Sequence, residues 1–503
     1  MTAVNMATLT PDGGVCREVL LQVSALPGGR SLIAVGPDGT SYPELRDRVY
    51  AGITNSRLTW PDRHVHISLG SPGPGQGPVH PSTDLAVAAA VLTATGHLPI
   101  TALSDTMLLG EVGLDGAVRP VRETLALVAA AADRGYHTVV VPATDARHAM
   151  LVPGVHVVAV QSLSELIAWA TTGVEPALPT PLAGVARAGG GAAEAVPPFL
   201  PAWLSPARFA LEVAAAGRHH LDLTVAPELP VPLMGEYLQS LLPDLDDRHA
   251  TDVSAMHAAA GRQVDALIRR PPLQAPGPAT SVTAMIGGRR PGAASLAHRG
   301  VLLLRDAPDF APEVLHALRQ PLDQQIVQVV HARGITTFPA DVQLVATSRP
   351  CPCSAAHSRS NSCSAPARRR YRNQMHSISD RLAIALSIDG AASGDASDGE
   401  STSTAAARVG AARAAAAERW SPQGYSTNAE VPLEVLRQPA FHLPVPATST
   451  LRRMVDIGQL STRAYRVVLR LAWTVSDLVG TGRPDKEAVD TAVDLYIPRR
   501  HTH

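Results

Sequence analysis

The chain has 503 residues, enough for two or three domains, and its formal net charge of −1 and pI near 7.0 argue against bulk electrostatic binding of nucleic acid. Apolar residues make up 45% but aromatic residues only 4%, so the hydrophobic cores must consist mainly of Ala, Val and Leu. Four cysteines do not form a secreted disulfide framework, and without a signal-peptide pattern or an apolar run of roughly 18–20 residues we expect a cytoplasmic protein without membrane segments.

The first block, residues 1–172, is predicted to be an α/β domain. Short strands are predicted at 19–23 and 31–35, around the turn-forming Pro27-Gly28-Gly29. Helical spacing or small-residue runs predict helices at 45–55, 84–95 and 123–132. The β-branched run at 138–141 predicts a buried strand that Pro142 ends. Alternation of helices and strands is typical of an α/β domain.

The rest of the chain divides by composition. Residues 173–203 are rich in Pro, Ala and Gly and are predicted to be a linker. A second α/β block is predicted for 204–388, with strands at 301–304 and 342–346. Residues 389–404 are rich in Ser, Gly and Asp and are predicted to be a flexible loop. Residues 405–503 are predicted to be helical, most clearly at 405–420 and 461–479.

Short motifs along almost the whole chain occur in the order of one known family. In the first block they are Leu26-Pro27-Gly28, 45–49, Asp84-Leu85-Ala86, Leu109-Gly110-Glu111 and 116–120. In the second block they are 214–217 with His219 and His220, Pro291-Gly292, 296–301, 315–322 and Pro350-Cys351-Pro352-Cys353. The last block contributes Thr427-Asn428-Ala429, 460–463 and Asp477-Leu478. In this order the chain resembles the ComM/YifB family of magnesium-chelatase-type AAA+ proteins.

The resemblance implies a multidomain α/β fold with three parts. These are a Lon-protease-type α/β domain, an AAA+ P-loop-like α/β module and a C-terminal helical lid domain. A Lon protease needs a serine nucleophile and a lysine that activates it. The segment that resembles the lysine region, 116–130, contains no lysine, and Lys486 is the only lysine of the chain. We therefore expect a scaffold or binding module rather than a protease, as in the family as a whole.

The ATP-binding loop of the family follows the first strand of the AAA+ module, which is here predicted at 221–224. Such a loop needs glycines for phosphate-binding N–H groups, a lysine for the β- and γ-phosphates and a Ser or Thr for Mg²⁺. This chain has Val225, Ala226, Pro227, Glu228, Leu229, Pro230, Val231 and Pro232. Val231 stands at the lysine position and Pro232 at the hydroxyl position. Pro230 and Pro232 remove backbone donors, and Glu228 would repel a triphosphate.

Other nucleotide-site positions of the family are also changed. Where the family has Asp-Glu after an apolar strand, this chain has Arg305 and Asp306, so that an arginine replaces a metal ligand. Arg349 replaces the sensor asparagine. Trp203-Leu204 replaces the Gly-Gln that contacts the base, and Gly277-Pro278 replaces a His-His pair. Arg381, which follows Asp380 as in the family, remains, and in that family this arginine can act on the ATP of a neighbouring subunit.

Three cysteines and several arginines form further candidate sites. Cys351, Cys353 and Cys363 resemble three of four cysteines found in many relatives, and four such thiolates could hold Zn²⁺. Asn361 stands where the fourth is expected, and His357 could replace it. The alternative is three reduced cysteines in a loop.

Arginine clusters are the sequence's candidates for nucleic-acid contacts. The run 368–372 could bind phosphates, with Tyr371 stacked on a base, or it could be a solvated loop face. Arg463, Arg466 and Arg470 are spaced to lie on one face of a helix, for which we expect a structural role. His219 and His220 are expected to belong to a turn rather than to a ligand site.

Three functions remain compatible with the sequence. The first is a non-hydrolysing relative of a hexameric branch-migration motor linked to DNA recombination and natural transformation. Such a chain could join a homo- or hetero-oligomeric ring, supply Arg381 to an active neighbour or bind DNA. The second is an active ATPase with Mg²⁺ and ATP as cofactors, which requires nucleotide binding without a P-loop lysine. The third is a decayed relative without function.

Overall fold

The structure is a computed structural model that describes residues 2–12, 15–36, 39–70, 80–177, 207–226, 229–331, 334–353, 363–388 and 400–496. Glu228, Trp203, Leu204, His357, Asn361 and most of the predicted linker and flexible loop lie outside these ranges. Within them, no helix is both long and apolar enough to cross a membrane. The described chain is a mixed α/β protein whose last part is helical.

In the described residues of the first part, 2–177, nine strands form three sheets. One sheet has the order β1-β2-β4-β3, with β1 Thr2–Asp12, β2 Val15–Pro27, β3 Ser31–Val35 and β4 Arg63–Gly70. A parallel sheet has the order β5-β8-β9, and β6 pairs with β7; their bounds are β5 Thr106–Leu108, β6 Glu111–Val112, β7 Val118–Arg119, β8 Thr138–Pro142 and β9 His156–Val160. The helices are α1 Pro43–Asn55, α2 Asp84–Ala94, α3 Thr124–Asp133, α4 Ala146–Ala149 and α5 Leu163–Thr172.

Helix α2 is buried along its full length, which explains its small apolar residues. A helix that is apolar on all sides needs packing partners all round. Its one charged residue, Asp84, accepts two hydrogen bonds from Arg48 of α1, at 2.7 and 3.0 Å. This pair fixes α1 against α2 and gives a structural reason for the Leu45–Val49 and Asp84–Ala86 motifs.

The described residues of the second part, 207–388, are built on a five-stranded parallel sheet. Its order is β11-β12-β15-β10-β16, with β10 Leu221–Val225, β11 Leu273–Gln274, β12 Val301–Leu304, β15 Gln343–Ser348 and β16 Ile384–Ile388. Between β12 and β15 in the sequence, β13 Ile326–His331 and β14 Gly334–Pro339 pair as an antiparallel hairpin. The helices are α6 Arg208–Gly217, α7 Pro232–Leu241, α8 Asp247–Ala259, α9 Val282–Ile286, α10 Ala293–Leu296, α11 Pro312–Ala317, α12 Arg319–Gln324, α13 Ala365–Asn373 and α14 His376–Ser379.

The third part, described over residues 400–496, is helical and shares one hydrophobic core with the second part. Its helices are α15 Thr402–Trp420, α16 Leu433–Leu436, α17 Ser449–Asp456, α18 Thr462–Val479 and α19 Lys486–Tyr496. Residues of α15 and α18 pack in the same cluster as those of α6, β10 and α7. The expected packing of the lid on the nucleotide module is therefore observed.

The predicted elements agree with the structure except at their ends. Helix α15 begins at Thr402, inside the segment predicted as a loop, because the Ser401 side chain accepts a hydrogen bond from the Thr404 N–H. Strand β1 was not predicted. It pairs antiparallel with β2 over its whole length. This pairing explains why a segment with so many polar residues forms a strand.

Candidate functional site

The candidate site lies where the parallel strands of the second part end. In open parallel sheets, ligands bind outside the carboxyl ends of the strands, at a point where the strand order reverses. Strand β10 lies between β15 and β16, and the chain passes from Val225 through a short loop into α7. The family resemblance predicts the phosphate-binding loop at this position.

The backbone donors of this loop already have partners. The N–H groups of Ala226, Leu229 and Val231 donate to carbonyl oxygens within the protein at 3.0–3.1 Å. Those of Leu233 and Met234 donate to Pro230 and Val231, in the first turn of α7. Pro227, Pro230 and Pro232 have no N–H group. In the described part of this loop, no N–H group is therefore left for a phosphate.

Apolar side chains occupy the lysine position and its surroundings. Val225 and Ala226 are buried, and Leu229 and Val231 pack against the core that joins the second and third parts. A lysine at residue 231 would have to leave this contact in order to reach a phosphate. The loop is thus held by apolar packing as well as by its hydrogen bonds.

Arg349 lies beside two acidic residues that follow β12, where the family resemblance predicts the metal ion. The Arg349 guanidinium lies 3.1 Å from Asp306 and also forms an ion pair with Asp309. It lies over the ring of Tyr371, 5.6 Å from the ring centre. Arg305, which we expected to repel Mg²⁺, is exposed. Of the two arginines predicted at changed positions, Arg349 is therefore the one that pairs with the nearby carboxylates.

The position of Tyr371 excludes one of the predicted roles of the basic run. Tyr371 lies in α13, is 5% exposed and is covered by Arg349. A buried ring cannot stack on a nucleic-acid base, so that part of the prediction was wrong. The arginines of α13 flank this residue on the surface side of the helix, which is compatible with a solvated face.

Arg381 lies at the opposite end of the sheet from the loop. It precedes β16, its side chain is 11% exposed, and it donates to both carboxylate oxygens of Asp323. A cleft of about 950 Å³ surrounds it between the second and third parts. Arg463, Arg466 and Arg470 of α18 line the same cleft, as their spacing on one helix face predicted. Burial, together with Arg466, lowers the pKa of Arg470 to about 10.

The two histidines before β10 are structural, as predicted. His219 bonds Thr474 of α18 at 2.8 Å through Nε2. Nδ1 of His220 accepts a hydrogen bond from the Leu344 N–H at 3.1 Å. These bonds tie the amino end of β10 to the lid and to β15.

The three cysteines beyond β15 form a cluster. Their Sγ atoms lie within 4.8 Å of one another, and those of Cys351 and Cys353 are 3.0 Å apart. The hydrogen bond with Cys351 raises the pKa of the Cys363 thiol to about 11. The sequence predicted these residues as candidate metal ligands, but it did not show that their three sulfurs lie close together.

Comparisons with known proteins cover nearly the whole chain. Residues 204–395 match the family model "Magnesium chelatase, subunit ChlI", 399–496 match "Magnesium chelatase, subunit ChlI C-terminal" and 21–145 match "Subunit ChlI of Mg-chelatase". An uncharacterised protein of Mycobacterium tuberculosis is 38% identical over 98% of both chains.

Two further relatives have names that match the resemblance described above. The uncharacterised protein YifB of Escherichia coli is 29% identical, over 92% of this chain and 90% of its own length. Competence protein ComM of Haemophilus influenzae is 25% identical, over 92% of this chain and 91% of its own. In addition, 146 residues, 27% of this chain, are 32% identical to a stretch of a Phenylobacterium zucineum Lon protease, 17% of that protein.

Proposed function

This chain belongs to the ComM/YifB family of magnesium-chelatase-type proteins, and from that premise we propose that it is a non-hydrolysing AAA+ subunit. Its role is that of an adaptor or passive subunit in an oligomeric ring. The name of its relative ComM connects this role with competence. In this proposal the ring is linked to DNA recombination and natural transformation, as the resemblance to the family implies.

The hydrogen bonding of the loop after β10 carries the proposal. A triphosphate binds to such a loop through several N–H groups and a lysine. Here the described N–H groups are bonded within the protein and the lysine position is a packed valine. The Arg349 pairs with Asp306 and Asp309 oppose Mg²⁺ in the same site, because the metal would have to displace a guanidinium.

Calorimetric titration with ATP tests the loss of nucleotide binding. The full chain, at tens of micromolar with Mg²⁺, is expected to give no binding heat with ATP or a non-hydrolysable analogue. Dissociation constants in the micromolar range would contradict the proposal. If binding heat appears, Asp306→Asn distinguishes a rebuilt magnesium–nucleotide site from nucleotide binding elsewhere on the chain. Only the rebuilt site should lose affinity for the nucleotide when this carboxylate is removed.

The adaptor role is tested through Arg381 in a mixed assembly. Mixed with a family member that hydrolyses ATP, the chain is expected to raise the rate of ATP hydrolysis, and Arg381→Ala is expected to abolish most of that increase. One arginine that stabilises transferred phosphoryl charge contributes about 10³–10⁵ to the rate in other nucleotide hydrolases. Asp323 is half exposed, so the loss of its partner should not unfold the protein.

Arg289→Ala is the matched control, because Arg289 is an exposed arginine of the same part of the chain. It should stimulate like the unchanged protein. Equal stimulation by Arg381→Ala would contradict the adaptor role. A decayed relative would neither bind ATP nor stimulate the partner, whereas an active ATPase would hydrolyse ATP alone.

A further inference from the structure

The cysteine cluster joins two elements that meet at the nucleotide-site position. Cys351 and Cys353 follow the end of β15, two and four residues after Arg349. Cys363 directly precedes Ser364, the N-cap residue of α13. Helix α13 in turn holds Tyr371 under Arg349. Any bond across the three sulfurs therefore fixes α13 to the end of β15.

The sulfur separations match a thiolate metal site. A tetrahedral zinc ion with Zn–S bonds of about 2.3 Å separates its sulfurs by about 3.8 Å. The observed separations, from 3.0 Å to within 4.8 Å, include that value, so shifts of about 1 Å bring all three sulfurs into position. Three thiols also prefer a soft or borderline metal, since Mg²⁺ and Ca²⁺ bind oxygen.

The surroundings can accommodate the negative charge of a metal–thiolate centre, although the metal-free Cys363 thiol has a raised pKa. Cys363 lies next to the amino end of a nine-residue helix, where backbone dipoles stabilise negative charge. Arg368, Arg369, Arg370 and Arg372 follow within that helix. Three thiolates and one Zn²⁺ together carry a charge of −1, which these arginines partly offset.

We propose that Cys351, Cys353 and Cys363 bind one Zn²⁺ through three thiolates, with solvent at the fourth position. Three thiols lose their protons to the buffer when the ion binds, and no oxidant or reductant is needed. The ion clamps α13 to β15 and so keeps Tyr371 and Arg349 in place. This site is independent of the proposed function, because it requires neither ATP nor a ring.

Metal analysis of the purified full chain tests the proposal. Protein from zinc-supplemented culture, freed of loosely bound metal, is expected to contain about one zinc per chain. Cys353→Ala and Cys363→Ala are expected to lose more than about tenfold in zinc affinity. Cys16→Ala is the matched control, because Cys16 is the fourth cysteine and lies buried in the first part of the chain. It should keep its zinc.

Cobalt substitution of the unchanged protein gives a second measurement that does not depend on variants. A site with three thiolates is expected to show intense thiolate-to-cobalt charge-transfer absorption, which zinc removes. Zinc-free protein without this absorption would overturn the proposal, as would protein that contains only copper or iron. Zinc that persists in both cysteine variants would also overturn it.

Discussion

Lowering the pH from 7 to 5 is expected to reduce the free energy of unfolding of the second and third parts by about 4–5 kcal/mol. The cause is a set of histidines that are neutral in the fold. Burial lowers the pKa of His219 to about 3, of His220 to about 4 and of His298 to about 3. Denaturant titrations at both pH values, followed by the fluorescence of buried Trp420 and Trp473, measure the change.

The hydrogen bonds explain why these rings resist protonation. Nδ1 of His298 accepts from the Asp341 N–H at 3.0 Å, and Nδ1 of His220 accepts from the Leu344 N–H. An imidazolium carries a proton on both nitrogens and cannot accept a hydrogen bond. Protonation would thus place two N–H groups against each other in a buried site.

The sign of the effect follows from which state takes up protons. Below pH 6.5 the unfolded chain binds protons that the folded chain excludes, so stability is lost as the pH falls. Each of the three histidines contributes about 2 kcal/mol between pH 7 and 5. Burial raises the pKa of Asp222 to about 6, and its proton uptake in the fold offsets about 1 kcal/mol.

His298→Gln should remove about one third of the histidine effect, because it removes one of the three titrating rings. The Gln side-chain oxygen can still accept the hydrogen bond from the Asp341 N–H. The control is His376→Gln, which changes an exposed histidine in the same part of the chain. It should leave the pH dependence unchanged. Equal stability at pH 7 and pH 5 would contradict the neutral-histidine account.

Asp477→Ala is expected to destabilise the lid by about 3–5 kcal/mol. The Asp477 side chain is 1% exposed and forms an ion pair with Arg419, whose guanidinium lies over the ring of Trp473. Asn428 donates to the same carboxylate at 2.8 Å and accepts from the Trp420 indole at 2.7 Å. The substitution therefore leaves a partly buried guanidinium and a buried amide without their acceptor.

The same fluorescence-detected denaturation measures this loss as a lower transition midpoint. Asp247→Ala is the matched control, since its ion pair with Arg269 is more than half exposed on both sides. Exposed pairs contribute up to about 1 kcal/mol, so this variant should change little. A loss below about 1 kcal/mol for Asp477→Ala would show that the network contributes less than its burial indicates.

The local sequence alone predicted most of the helices and strands. It also showed which phosphate-binding groups are missing from the loop after β10. Helices α1, α2 and α18 follow from the spacing of their residues, and their ends differ from prediction by a few residues at most. The missing lysine and the three prolines are covalent facts, so no arrangement of the chain restores those donors. Strand β1 was missed because its pairing with β2, not its own pattern, defines it.

Only the tertiary structure decided which side chains meet. Arg349 reaches Asp306 and Asp309 because β12 and β15 are neighbours in the sheet, although some 40 residues separate them in the chain. The burial of Tyr371 and the proximity of the cysteines depend likewise on where α13 packs. Periodicity and composition report the contacts of a residue with its near neighbours in sequence, whereas ion pairs across strands depend on sheet order. The sequence therefore determined what the site lacks, and the fold determined what fills it.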